Sequence, residues 1–207
     1  NMEKCKAYAD AALNSQDRDS VASDVIVVKL GALEEQAKTA AIDTTAFISE
    51  VKALYEMFPA NENIFAKLAG LYEESGDKEN AKKLREQRLA QNPTDPMANA
   101  YIGQAAQNEG KYDEAIAAYE KAVAAKADFL AAKLNLGVCY LNKAAAYVDA
   151  NTDARGIIKP EAKQAGLADL TKAKSIIEEV RAADPNCEQV NWKYPLERVD
   201  YAIGKVQ

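Results

Sequence analysis

Residues 110–123 read Gly110-Lys111-Tyr112-Asp113-Glu114-Ala115-Ile116-Ala117-Ala118-Tyr119-Glu120-Lys121-Ala122-Val123. A glycine opens the stretch, and Ala115, Tyr119 and Ala122 follow at spacings of four and three, the period of a helix with one buried side. At an offset of 34 toward the N-terminus, Gly110 has a counterpart in Gly76, and Ala115 has one in Ala81. The same offset joins Pro59 to Pro93, and it joins Leu68-Ala69 to Ile102-Gly103 and Leu136-Gly137. Several position classes that share one offset define a repeat.

Each unit reads as two helices. In the first clear one, Ile64, Leu68, Leu71 and Tyr72 follow helical spacing, and Gly76-Asp77 supplies a turn. Ala81, Leu84 and Leu89 mark a second helix that stops at Asn92-Pro93. The small residues at 69, 81, 103, 115 and 137 are expected where paired helices approach closely, because a larger side chain would hold them apart.

The stretch 110–123 closely resembles the core of a tetratricopeptide repeat. That family's pattern has an aromatic at position 4, Leu-Gly or Leu-Ala at 7 and 8, Tyr at 11, Ala at 20, an aromatic at 24, Ala at 27 and Pro at 32. A repeat starting at Glu62 supplies Phe65, Leu68-Ala69, Tyr72, Ala81, Arg85, Arg88 and Pro93. One starting at Pro96 supplies Asn99, Ile102-Gly103, Ala106, Ala115, Tyr119, Ala122 and Ala127. One starting at Leu130 supplies Lys133, Leu136-Gly137 and Tyr140 before the period breaks. Arg85, Arg88, Asn99 and Lys133 depart from the pattern and are expected to loosen individual contacts. The third period resumes at Ala173, Ile177, Val180 and Pro185, after 24 extra residues (185 − 161). Apolar spacing through Ala144, Tyr147 and Val148, and again through Leu167 and Leu170, predicts an elongated helical hairpin tipped by a polar loop at 151–159, with Pro160 in the first turn of the second helix.

The resemblance implies an all-α, right-handed superhelical solenoid of antiparallel helix pairs, a single domain over 1–207. Its clear repeats would be 62–95, 96–129 and 130–187. Val27, Leu30-Gly31 and Pro59 suggest a degenerate repeat over about 24–61, though the offset from Leu30 to Leu68 is 38 in place of 34. Residues 2–14, with Tyr8, Ala11 and Ala12 on one side, are similar to the second helix of a still earlier unit. Trp192, Leu196, Val199 and Ile203 form one face of a capping helix over about 188–207, provided Pro195 falls in its first turn.

Composition narrows the function. The 207 residues contain 26 Lys plus Arg and 32 Asp plus Glu, a net charge of −6, with no basic excess for a phosphate backbone. No histidine is present, which removes histidine-based triads, proton shuttles and the usual zinc sites. Cys5, Cys139 and Cys187 form no C-x-x-C pair, and Cys139, within Leu-Gly-Val-Cys-Tyr, reads as a core thiol. Gly103 and Gly110-Lys111 have the wrong spacing for a phosphate-binding loop. Asp149-Ala150-Asn151-Thr152-Asp153 imitates the opening of a calcium loop, but Ala154 and Pro160 stand where Gly and Glu are needed. Glu73-Glu74 and Glu178-Glu179 read as solvated faces. No catalytic residues, metal or cofactor are expected, no apolar run reaches the length of a membrane span, and Glu3, Lys4, Lys6 and Asp10 give no signal-peptide pattern.

The surface implied by the resemblance is a groove lined by the first helix of each repeat. Its positions are Asn63, Ala66, Gly70, Glu73 and Glu74 in the first clear unit. The second gives Met97, Ala100, Gln104, Gln107 and Asn108, and the third gives Ala131, Leu134, Val138, Leu141 and Asn142. Such a groove suits a protein or peptide partner, so the expected function is a non-enzymatic binding scaffold; the alternative is an architectural protein that self-associates into a homo-oligomer. The Lys and Asn clamp with which family members hold acidic chaperone tails is matched here only by Asn135, so a neutral or basic segment anchored on Leu134, Val138 and Leu141 is expected instead. The insertion, followed by Trp192, Pro195-Leu196, Val199 and Tyr201, resembles bacterial cell-envelope repeat proteins. That implies a periplasmic or envelope location, with the cytoplasm as the alternative.

Overall fold

The computed structural model describes residues 2–14, 18–187 and 192–207. They form an all-α protein of helices α1 (Met2–Leu13), α2 (Arg18–Lys38), α3 (Thr44–Met57), α4 (Glu62–Glu74), α5 (Lys78–Gln91), α6 (Pro96–Asn108), α7 (Tyr112–Ala125), α8 (Leu130–Ala150), α9 (Pro160–Ala183) and α10 (Lys193–Val206). Helices consecutive in sequence pack on one another, α1 on α2, α3 on α4, α6 on α7 and α8 on α9. The starts of α4, α6 and α8, at Glu62, Pro96 and Leu130, recur at the offset found in the sequence. Among the described residues, no helix is long and apolar enough to cross a membrane.

Local chemistry sets these boundaries. Asn61 Oδ1 accepts from Ile64 N at 3.1 Å, Asp77 Oδ1 from Asn80 N at 3.1 Å, and Asp95 Oδ1 from Ala98 N at 2.8 Å, which satisfies donors the helix start leaves open. Pro96 and Pro160 occupy the first positions of α6 and α9, where a missing N–H costs nothing. Gly76 turns the chain between α4 and α5, and Gly110 between α6 and α7, at φ of 74° and 73°, a left-handed conformation that side chains resist.

The chain divides into two compact units, residues 1–88 and 89–207, with the boundary inside α5. In the first, Ile26 and Leu33 of α2, Val51 and Leu54 of α3, and Ile64, Phe65 and Leu68 of α4 are buried. The apolar side expected for α1 is corrected here: Tyr8 is 75% exposed, and Ala9 and Leu13 turn inward. The two arginines expected to loosen contacts are buried and partnered. Arg85 Nη1 donates to Glu73 Oε1 at 2.7 Å, and the Arg88 guanidinium lies 4.5 Å from the Phe65 ring centroid while donating to the Pro59 carbonyl at 3.3 Å. Cation–π contact and charge-assisted hydrogen bonds replace the aromatic and alanine of the repeat pattern.

In the second unit, α6–α10 share one core containing Tyr119, Leu136, Cys139, Leu141, Val148, Leu170 and Val199. The close approaches expected from small residues are present. A Cβ on Gly103 would meet the Tyr119 ring at 2.9 Å, one on Gly137 would meet Ile177 Cγ1 at 2.9 Å, and Ala115 is fully buried. The elongated hairpin is present too: α8 has 21 residues and α9 has 24, against 13 and 14 in α6 and α7. Gly166 extends the close packing into the added turns, since its Cβ would meet Val148 Cγ2 at 2.6 Å. The tip at 151–159 is more ordered than a polar loop, with a single antiparallel bridge between Thr152 and Ile158 and with Ile158 in the core. Pro195 is the third residue of α10 and so lies in its first turn; Leu196, Val199 and Ile203 face the core. Residues 188–191 of the expected capping segment lie outside the described residues.

Candidate functional site

In the first unit, α2 and α4 flank a cavity of about 630 Å³, with Phe47 of α3 also in its lining. Four groove residues expected from the sequence, Asn63, Ala66, Gly70 and Glu74, line it from α4. From α2 it is lined by Val27, Leu30, Gly31 and Glu34, a face with i, i+3, i+4, i+7 spacing. Val27 is 58% exposed although apolar, while Leu30 and Phe47 are buried in the wall. Lys67 Nζ of α4 pairs with Glu34 Oε1 of α2 across the cavity. Glu73, also expected in the groove, instead turns toward α5 and pairs with Arg85. Glu74 is exposed at the end of α4 and has no partner among the described residues.

Gly31 and Gly70 both line this cavity, and neither has any atom within 4 Å of where a Cβ would stand. The degenerate repeat read from the sequence aligns Leu30-Gly31 with Leu68-Ala69. In the structure Ala69 is buried, whereas Gly31 faces open space. Proximity to Leu30 and Val27 is the only sequence signal for this wall, and it does not say which side of α2 is open.

In the second unit, α6 and α8 flank a smaller cavity of about 150 Å³ lined by Met97, Ala100, Gln104 and Ala131, all expected groove residues, together with Asn135. Tyr119 of α7 also contributes to its lining. A further cavity of about 230 Å³ lies between α8, α9 and α10, where Leu141, Val148 and Leu170 meet Arg198, Tyr201 and Lys205. Leu141 is 2% exposed there, so it is part of the core more than an anchor on offer. Leu134 and Val138 are half-buried, and Asn108 is exposed. Asn142 Oδ1 accepts from Arg198 Nη2 at 3.2 Å.

Gln107 has an internal role that its position did not announce. Its Oε1 accepts from the Tyr119 hydroxyl at 3.1 Å and from the Cys139 thiol at 3.3 Å, tying α6, α7 and α8 together. Burial pushes the Cys139 thiol up to about 12 and raises the Tyr119 phenol as well, so both stay protonated near neutrality. A thiol in that state is a poor nucleophile, in keeping with its reading as a core residue. At the loop tip, Asp153 directs its carboxylate onto its own turn. Oδ1 accepts from the Arg155 and Ile157 backbone N–H groups, each at 2.9 Å, and Oδ2 from the Arg155 guanidinium at 3.2 Å, which holds the carboxyl below its usual range.

Compared with known proteins, the chain matches no family model and no curated protein.

Proposed function

We propose that this chain is a tetratricopeptide-type solenoid that works as a non-enzymatic scaffold, binding a peptide segment of a partner protein between the first helices of its repeats. The observation that carries this reading is the cavity between α2 and α4, where four groove positions expected from the repeat register, Asn63, Ala66, Gly70 and Glu74, meet on one wall. Its mixed lining suits a peptide: apolar walls take side chains, and Asn63 offers an amide to a peptide backbone. The same register supports right-handed superhelical stacking of the pairs.

The test is selection of random peptides on the full chain. Enriched peptides should lose binding to Ala66→Arg, whose side chain fills the cavity, while the far-ultraviolet helical signal stays unchanged. Failure to enrich any peptide, together with a salt-resistant dimer in light scattering, would favour the architectural, self-associating role.

A further inference from the structure

Helical glycines in this protein fall into two groups. Gly103, Gly137 and Gly166 are required by packing, because a Cβ on any of them would overlap a side chain of a neighbouring helix. Gly31, Gly70 and, in the last turn of α10, Gly204 have no such reason; of these, Gly31 and Gly70 are the two that line a described cavity. Each sits inside a helix, each weakens that helix relative to alanine, and neither has a neighbour within 4 Å of its missing Cβ. Both open onto the cavity between α2 and α4. A bare backbone on each of two flanking helices leaves room for another chain to approach at main-chain distance, one of the uses to which glycine is suited.

The charges around the cavity indicate what approaches. Glu34 and Lys67 neutralise each other one helical turn from Gly31 and Gly70 respectively. That leaves the exposed Glu74 as the carboxylate without a counter-charge in the lining. Val27, exposed beside Gly31, provides an apolar surface on the opposite wall.

We infer that the α2–α4 groove binds a peptide segment whose backbone lies against Gly31 and Gly70, with an apolar side chain set against Val27 and Phe47 and a Lys or Arg paired with Glu74. This rests on the scaffold reading and makes it specific: the ligand is basic and apolar, and the two glycines set its depth. The carboxylate supplies a charge-assisted hydrogen bond to the peptide cation, so an acidic segment would bring like charges together at the same point.

The experiment uses the full chain and a random peptide library. Selected peptides should be enriched in Lys or Arg near an apolar residue. By calorimetry they should bind Gly31→Ala and Gly70→Ala about tenfold or more weakly than the parent chain, although both variants melt at or above the parent temperature. Glu74→Gln should weaken binding and flatten its salt dependence. Peptides that bind the glycine variants and Glu74→Gln as well as the parent, or that are enriched in acidic residues, would overturn this inference and leave the scaffold reading standing. A library that yields no binder would overturn both. A dimer that Gly70→Arg splits would make the occupant a second copy and overturn the basic-peptide assignment.

Discussion

Replacing Gly103 with alanine tests the packing argument on which the helix pairing rests. The new Cβ would lie 2.9 Å from three atoms of the Tyr119 ring, whereas ordinary van der Waals contact begins at 3.4 Å. The ring has little room to retreat, since Tyr119 is 1% exposed and its hydroxyl donates to Gln107 at 3.1 Å. Alanine gains about 0.5–1 kcal/mol over glycine inside a helix, whereas overpacking a filled core costs about 1–3 kcal/mol. The overlap should win, with a net loss of about 1 kcal/mol, or about 2–4 °C in melting temperature for a chain of this size. Gly31→Ala is the matched control. It is the same substitution inside a helix, but with no atom within 4 Å, so it should keep the helix gain and raise the midpoint by about 2 °C. Thermal unfolding followed by far-ultraviolet circular dichroism reads both variants. Combining Gly103→Ala with Tyr119→Leu should cost less than the sum of the single changes, because the clash partner is gone. A Gly103→Ala protein that melts at or above the parent, or a double variant whose losses simply add, would overturn this account of the pairing.

Three further outcomes are expected. Arg88→Ala should lower stability by about 1–3 kcal/mol in denaturant titration, because the residue is 6% exposed and its guanidinium covers the Phe65 ring and bonds the Pro59 carbonyl. Cys139 contributes to the alkaline limb. A folded-state value near 12, above the usual 9, means the unfolded chain releases its thiol proton first, so this contribution is intact below about pH 9 and is lost as pH rises toward 12; stability measured from pH 8 to 11 should fall less steeply in Cys139→Ala than in the parent. Deleting residues 151–156 behind a short linker should leave the helical signal intact, whereas Ile158→Ala should cost about 2–4 kcal/mol on chemical unfolding, because Ile158 belongs to the core.

Much of the helical framework is legible in the linear chain because its determinants are local. Capping carboxylates and amides, first-turn prolines and the left-handed glycines at 76 and 110 act within a few residues, so helix starts at Glu62, Pro96 and Leu130 follow from spacing alone. The long hairpin is legible for the same reason, since apolar periodicity runs unbroken through α8 and back along α9. Where a determinant is a partner distant in sequence, the pattern misleads. Arg85 and Arg88 look like defects in a repeat consensus until Glu73, Phe65 and Pro59 stand beside them. Spacing groups Tyr8 with Ala11 and Ala12, yet Tyr8 is exposed while Ala9 and Leu13 are buried.

The candidate site divides along the same line. Position within a repeat period fixes direction around a helix, and four of the positions read from it on α4 and three on α6 line cavities. The linear chain shows too which chemistry is missing, since a chain without histidine cannot build histidine-based machinery. The assembled helices add what the chain does not spell out: Gln107 is taken up by Tyr119 and Cys139, Leu141 is enclosed by α9 and α10, and Gly31 faces space where Gly103 faces a ring. A hydrogen bond, an enclosed side chain or an empty volume belongs to two or three helices at once, and periodicity along one helix carries no record of what the others bring to meet it.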